Sequence, residues 1–218
     1  VTAGGTAEPI DPVRYIGNRS TGRMGVAVAE AALARGARVS LVHGLTSVPL
    51  PQAAELVHAP TAAGMRQEVL ALAGDADLLV MAAAVGDFRP RHAAQAKIGR
   101  RDGLTLELEP TEDILAEVAA AVRQRRGRPL LFGFAAETGS LDRVADKVAR
   151  KGVDLLVAND VSEQGSGFGT ETNRVSIVTP DGVVEPWPLL SKRQVAERLL
   201  DRAVALREPD RASSAAHR

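Results

Sequence analysis

Apolar residues along the 218-residue chain fall into two alternating patterns, and their order predicts the fold. Residues 1–3 read as the end of a strand begun upstream, closed by Gly4 and Gly5. An irregular stretch with Pro9, Asp11, Pro12 and Arg14 follows, and Ser20 stands where a helix N-cap belongs. Residues 22–35, GRMGVAVAEAALAR, place small apolar residues at helical spacing up to Gly36, a natural stop. RVSLVH at 38–43 reads as a strand closed by Gly44. Strand, loop, helix and strand in that order make a βαβ unit and imply a parallel sheet.

The alternation then repeats. Thr61 caps a predicted helix over 61–73, and DLLVMAAAV at 77–85 is apolar enough for a strand covered on both faces. Residues 86–103 break the pattern with Gly, Pro, Arg and Lys and read as loop. LTLELE at 104–109 alternates with period two, as a half-exposed strand does. Helices are predicted at 114–125 and 141–151, buried strands at 130–135 and 153–158, and a glycine-rich loop at 165–169. Pro180-Asp181-Gly182 between apolar runs predicts a β-hairpin over 175–184. Ser191 and Gln194 form a capping box that opens a closing helix. No repeat or linker divides the chain. The prediction is one α/β domain over 1–207, a Rossmann-like doubly wound, mainly parallel sheet with a C-terminal β-hairpin and closing helix. Residues 208–218 carry no large apolar side chain and are expected to be a disordered tail.

Composition narrows the chemistry. Lys plus Arg is 27 and Asp plus Glu is 27, so no basic face for general nucleic-acid binding is implied. Zero cysteines exclude a disulfide scaffold, a thiolate metal site and a cysteine nucleophile. His43, His58, His92 and His217 are scattered. No apolar run approaches the roughly 20 residues of a membrane span, and no signal peptide is visible, so a cytoplasmic location is expected.

Four segments carry candidate chemistry. Ser20, Gly22 and Gly25 form SxGxxG at a helix start, which fits either a phosphate cradle or close helix–sheet packing. Arg14, Asn18 and Arg19 lie in the loop before it, where arginine offers bidentate contacts to phosphate or carboxylate. Asp87 ends the apolar strand in AAAVGDFRP, at the strand end where open parallel sheets bind ligands, or serves only as a turn residue. Phe134 in GFAAET ends the next strand, and Lys147 and Lys151 share a face of the helix that follows. Lys97 sits in a long loop able to close over a triphosphate, or is simply exposed. A Rossmann-type NAD(P)-binding oxidoreductase is the alternative. Against it, the second strand ends in His43 and Gly44 rather than an acidic residue, and the only tyrosine, Tyr15, lacks a lysine four residues on.

TAGGTAEPIDPVRYIGNRSTGRMG, AAAVGDFRP, AKI, DILAEV, GFAAET and DLLVANDVS together resemble the bacterial, CTP-using phosphopantothenoylcysteine synthetases. Such enzymes usually form the C-terminal half of a bifunctional coenzyme A biosynthesis protein. The resemblance implies ligation of 4′-phosphopantothenate to L-cysteine through an acyl-cytidylate, releasing pyrophosphate and then CMP, with Mg2+ accompanying CTP. It also implies a homodimer, with FMN only in a separate N-terminal decarboxylase domain. Asn18, Arg14 and Lys97 match the family's catalytic positions. Gly4, Gly5, Ser20, Gly22, Ala82, Ala83, Asp87, Glu112, Asp113, Ile114, Leu115, Phe134, Lys147 and Lys151 match nucleotide-contacting ones. Metal ligands are not identified. The chain departs from the family pattern at Gly86, Phe88, Gly99, Thr111 and Glu112.

Overall fold

A computed structural model describes residues 1–100, 103–125, 127–137, 144–160, 162–163, 165–167 and 169–215; for 137, 145–147 and 208–215 only the backbone course is described. β1 (Thr2–Ala3), β2 (Ala7–Pro9) and β3 (Tyr15–Gly17) come first, followed by α1 (Arg23–Ala34), β4 (Ser40–His43), β5 (Glu55–His58), α2 (Ala62–Ala73) and β6 (Leu78–Met81). β7 (Phe88–Pro90) and β8 (Leu108–Pro110) lead to α3 (Ile114–Val122), β9 (Leu130–Glu137), α4 (Val144–Lys151) and β10 (Leu155–Asp160). β11 (Thr172–Asn173), β12 (Ser176–Val178), β13 (Val184–Pro186), β14 (Leu190–Ser191) and α5 (Lys192–Ala215) follow.

Eight strands form one sheet in the order β13-β12-β10-β9-β6-β1-β4-β5. β5, β4, β1, β6, β9 and β10 run parallel, and β12 and β13 add an antiparallel edge beside β10. This is the doubly wound order read from the βαβ alternation. The winding reverses between β1 and β6, so the connections leave in opposite directions there and open a crevice at the strand ends.

Alternate residues of each central strand enter opposite cores, as a pleated strand requires. Leu41, Val80, Phe132, Leu155 and Val157 face the layer of α1 and α5. Val42, Leu79, Met81, Leu131 and Leu156 face α2, α3 and α4. Each such side chain contributes about 1.5–3 kcal/mol by leaving water. The caps hold the helices in place. Thr61 Oγ1 accepts from Gly64 N at 3.1 Å, and Asp113 accepts from Ala116 N at 3.2 Å. The Ser191–Gln194 box is reciprocal, at 2.9 and 3.1 Å.

Several expectations change. Ser20 is not the N-cap of α1. That position is Gly22, in a left-handed conformation at φ 79°, without a side-chain cap, and the Ser20 hydroxyl accepts from Gly22 N at 3.3 Å. β5 was not expected, because an exposed edge strand of sequence ELVH has no apolar face to read. Within 86–103 lies β7, paired antiparallel with β8, while 104–107 stays outside any strand. Of the expected helix at 141–151, residues 141–143 lie outside the described residues. Beyond 207 the backbone stays helical to Ala215, since extending an existing helix adds one hydrogen bond per residue without needing a new apolar face.

α1 lies directly on β1. A Cβ built on Gly25 would meet Thr2 O at 2.4 Å and Ala3 Cβ at 2.6 Å. Gly25→Ala is therefore expected to destabilise the domain by about 1–3 kcal/mol, the range for overpacking. Urea denaturation checks this, and an unchanged midpoint would show that α1 does not rest on β1.

Candidate functional site

A cleft of about 550 Å³ opens where β1, β6, β9 and β10 end, at the point where the sheet's winding reverses. A larger cavity, about 1600 Å³, opens at the opposite rim between Val1, Ser40 and Leu78, and no candidate site residue lines it. The chemistry expected at strand ends belongs to the smaller cleft.

Backbone makes its floor. Gly4 (φ 83°) and Gly22 (φ 79°) turn the chain at the end of β1 and the start of α1. A Cβ on Gly4 would lie 2.4 Å from Leu45 O, and one on Gly22 would lie 2.8 Å from Thr46 Cγ2. With no side chain capping it, the α1 N-terminus leaves backbone N–H donors and a partial positive charge facing the cleft, where Ser20, Gly22 and Arg23 line it. Gly4 and Gly5 shape this floor without lining the cleft.

The strand-end segment from Ala82 to Asp87 forms one wall. It is tied to the N-terminal segment at three residues. Ala83 N donates to Thr2 Oγ1 (3.0 Å), Ala84 N to Gly4 O (2.8 Å) and Gly86 N to Thr6 Oγ1 (2.8 Å). Ala83 therefore has only its carbonyl left to meet a ligand. Asn18 joins this wall, its Nδ2 donating to Val85 O at 2.9 Å. The Asp87 carboxylate is exposed at the cleft.

The opposite wall comes from α3, α4 and the end of β9. Asp113 caps α3 and pairs with Lys151 Nζ at 2.8 Å. Glu112 reaches Arg89 at 3.5 Å. Ile114 and Leu115 line the cleft but are core residues of α3, 3% and 6% exposed. Half-buried Phe134 lines it too. Lys147 lies on α4 one turn before Lys151, with its side chain outside the described residues.

Two expected residues stand elsewhere. Arg14 and Lys97 do not line the cleft. Arg14 is held by Asp11 and by the Ile98 carbonyl, and Lys97 is exposed. The Arg14 guanidinium, then the Ile98, Val13 and Arg14 amides, hold the Asp11 carboxyl well below the usual carboxylate range.

The cleft also contains residues the sequence reading did not select. Asn159, at the end of β10, is 8% exposed, and the strand-end rule would have found it. Asn173 and Lys192 come from the antiparallel appendix, for which no sequence rule points to a site. Lys192 is 6% exposed, and its ammonium donates to Gly167 O at 2.9 Å and Thr170 O at 2.5 Å. Burial, then the nearby charge of Arg23, pushes its pKa below the ordinary lysine range. Arg23 pairs with Glu171 at the rim. Among the described residues no three acidic or histidine side chains form a metal cluster. No described helix is long and apolar enough to cross a membrane.

Residues 1–206 match the model of the DNA/pantothenate metabolism flavoprotein C-terminal domain. The chain is 44% identical over 209 residues to the coenzyme A biosynthesis bifunctional protein CoaBC of Bacillus subtilis (strain 168), covering 94% of this chain and 50% of that protein. It is 45% identical over 214 residues to the CoaBC of Mycobacterium tuberculosis (strain H37Rv), covering 94% of this chain and 51% of that protein. It thus spans about half the length of the curated relatives it matches. A crystal structure of the C-terminal domain of a CoaBC protein superposes with TM-score 0.79 at 37% identity, covering 95% of this chain and 96% of that one. A Cab2 mutant in complex with phosphopantothenate-cysteine shares the fold, with TM-score 0.74 at 20% identity over 98% of this chain and 87% of that one. Sequence and fold agree from the first strand to the closing helix, and the chain belongs to the DNA/pantothenate metabolism flavoprotein C-terminal domain family.

Proposed function

We propose that this chain is a phosphopantothenate–cysteine ligase that uses CTP. One observation carries the reading. At the switch point the uncapped α1 N-terminus, Asn18 and the Ala82–Asp87 segment converge on one cleft. That combination offers donors for phosphate beside backbone acceptors for a base and a carboxylate for a ribose. The identity to CoaBC proteins supports the choice of substrates. The oxidoreductase alternative is not favoured, because β4 ends in His43, whose ring stands 5.1 Å from that of His58, where a ribose-binding acid would be needed.

In this reading a carboxylate oxygen of 4′-phosphopantothenate attacks the α-phosphorus of CTP. The bond to the bridging oxygen breaks and pyrophosphate leaves. The cysteine amine then attacks the acyl carbon, the C–O bond to the phosphate breaks, CMP leaves and the amine loses a proton. Neither step needs an enzyme nucleophile, so the protein's contribution is positioning and charge stabilisation. Asn18, fixed on Val85 O, presents a neutral group where two anions meet. Phe134 and the Ala83 carbonyl face the base, Asp87 the ribose, and Lys151 the rim. Mg2+ would come with the triphosphate and lower its charge. Phosphate oxygens and water would supply most of its ligands, with Asp87 or Glu112 at the wall. FMN and the decarboxylase belong to the other half of the longer relatives. A cytoplasmic location goes with this role.

The chain also acts as a homodimer in this reading. Val13, Tyr15 and Phe88 are 62%, 57% and 53% exposed on two packed hairpins, β2–β3 and β7–β8. Apolar surface of that kind marks an interface. Light scattering at micromolar concentration should give twice the chain mass, and a monomer would remove this part.

Pyrophosphate release tests the reaction. CTP should support it only with 4′-phosphopantothenate present, and far better than ATP does. An equal or better rate with ATP would refute the nucleotide assignment. Two substitutions separate the steps. Asn18→Asp places a negative charge beside the intermediate, so CTP should still bind while amide formation collapses. Lys97→Gln should slow amide formation on the order of 100-fold, as loss of a preorganised charge does, while acyl-cytidylate still forms. Single-turnover experiments with labelled phosphopantothenate follow both species, and native amide formation in either variant would remove that residue from the mechanism.

A further inference from the structure

The two expected catalytic cations outside the cleft, Arg14 and Lys97, are 83 positions apart, yet one buried carboxylate joins their segments. Asp11 is 4% exposed and its side chain is fully covered. Its two oxygens divide the work. Oδ1 accepts from Val13 N and Arg14 N, both at 2.9 Å, which shapes the local turn. Oδ2 accepts from Arg14 Nε at 3.1 Å, Arg14 Nη2 at 2.5 Å and Ile98 N at 3.1 Å. Arg14 Nη2 in turn donates to Ile98 O at 2.8 Å, and Ala94 N donates to Ile10 O at 2.9 Å. Both peptide groups of Ile98 are thereby tied to the 10–14 loop, and Lys97 is the next residue.

We propose that Asp11 is a positioning residue. Through Oδ2 it latches the segment that carries Lys97 onto the loop that carries Arg14, so that the two cations are delivered as one unit. The turn alone does not need Oδ2, because Oδ1 already holds it. A carboxylate meeting five donors in a covered site, bonds to charged groups among them, is a strong tie. The Arg14 guanidinium holds this carboxyl well below the usual carboxylate range. The latch therefore does not titrate near neutral pH. The role of Lys97 in the second step rests on the ligase reading above. The latch itself does not.

Asp11→Asn tests it with almost no change in shape. The amide oxygen can keep the bonds to Val13 N and Arg14 N, whereas an NH2 in place of Oδ2 turns a donor toward the Arg14 and Ile98 donors. Trypsin cleavage after Lys97 or Arg100, without any substrate, should become about tenfold faster. Amide formation should fall about tenfold in kcat, with KM for CTP within about twofold. In a Lys97→Gln background the same substitution should cost clearly less than its tenfold in the native chain, since only Arg14 is then left for Asp11 to position. Unchanged cleavage, or losses that multiply in the double variant, would overturn the proposal. If circular dichroism shows Asp11→Asn unfolded, Ile98→Pro removes the Ile98 N–H donor while leaving Asp11 and its bonds to Arg14 in place. It should reproduce the cleavage after Arg100 and the loss of amide formation, and native behaviour there overturns the latch. A native chain without ligase activity would sink the ligase reading and leave cleavage to judge the latch.

Discussion

The site depends on how closely α1 approaches β1. A helix normally rests on a sheet through side chains. Here Gly25 removes that spacer, and Thr2 O and Ala3 Cβ stand 2.4 and 2.6 Å from where its Cβ would be. Backbone against backbone brings the helix start to the level of the strand end. There Gly4 and Gly22, both at positive φ, turn the chain within a space that Leu45 and Thr46 otherwise fill. Each glycine costs about 0.5–1 kcal/mol in conformational freedom. The return is a helix start whose cap residue, Gly22, brings no side chain between its backbone N–H groups and the cleft.

Around that floor the fold places polar groups in layers of decreasing rigidity. Thr2 and Thr6, 0% and 1% exposed, fasten the Ala82–Asp87 wall with their hydroxyls. Glu8, 3% exposed, fastens the start of α2 through Ala62 N at 2.8 Å. These buried polar groups are all hydrogen-bonded, as low-dielectric surroundings demand. Lys192 does the same for the carbonyls of Gly167, Thr170 and Thr172. It cages carbonyls rather than facing an acid, which is why burial dominates its titration. Charges free to act on a ligand lie farther out.

Most of the sheet was legible because its strands are covered on both faces. Runs such as LLVM and LLVAND leave no other structure that would bury them. β5, β2 and β3 were not legible. β5 is an edge strand and β2–β3 a short hairpin whose central buried side chain is Glu8, so both are set by hydrogen bonds and register rather than by apolar pattern. The same division governs the site. Asp87 and Phe134 stand at strand ends, where topology places a ligand, while Ala82 and Ala83 were named through the family resemblance. Asn173 and Lys192 reach the cleft from an antiparallel appendix, and no local pattern announces that return. Ser20 misled because SxGxxG fits both a side-chain cap and a glycine cap, and packing against Thr46 decides for glycine. Arg14 and Lys97 were legible as loop cations and took catalytic roles from the family resemblance, and only the structure shows that Asp11 and Ile98 join their segments.

That juncture bears on how charge would be supplied to a reaction. A cation gains rate only by the amount that it binds the transition state more tightly than the ground state of the triphosphate. Lys97 is exposed and off the wall, while its neighbour Ile98 is fastened by both its N–H and its C=O. With that residue pinned, Lys97 cannot swing in on a loose loop of its own. It reaches a ligand only by extending its side chain or by moving together with Arg14 and the β2–β3 hairpin. Correlated delivery reduces the freedom lost at closure to one rigid displacement instead of two independent loop orderings. Asp11 is the residue that turns two distant stretches of sequence into that single moving part.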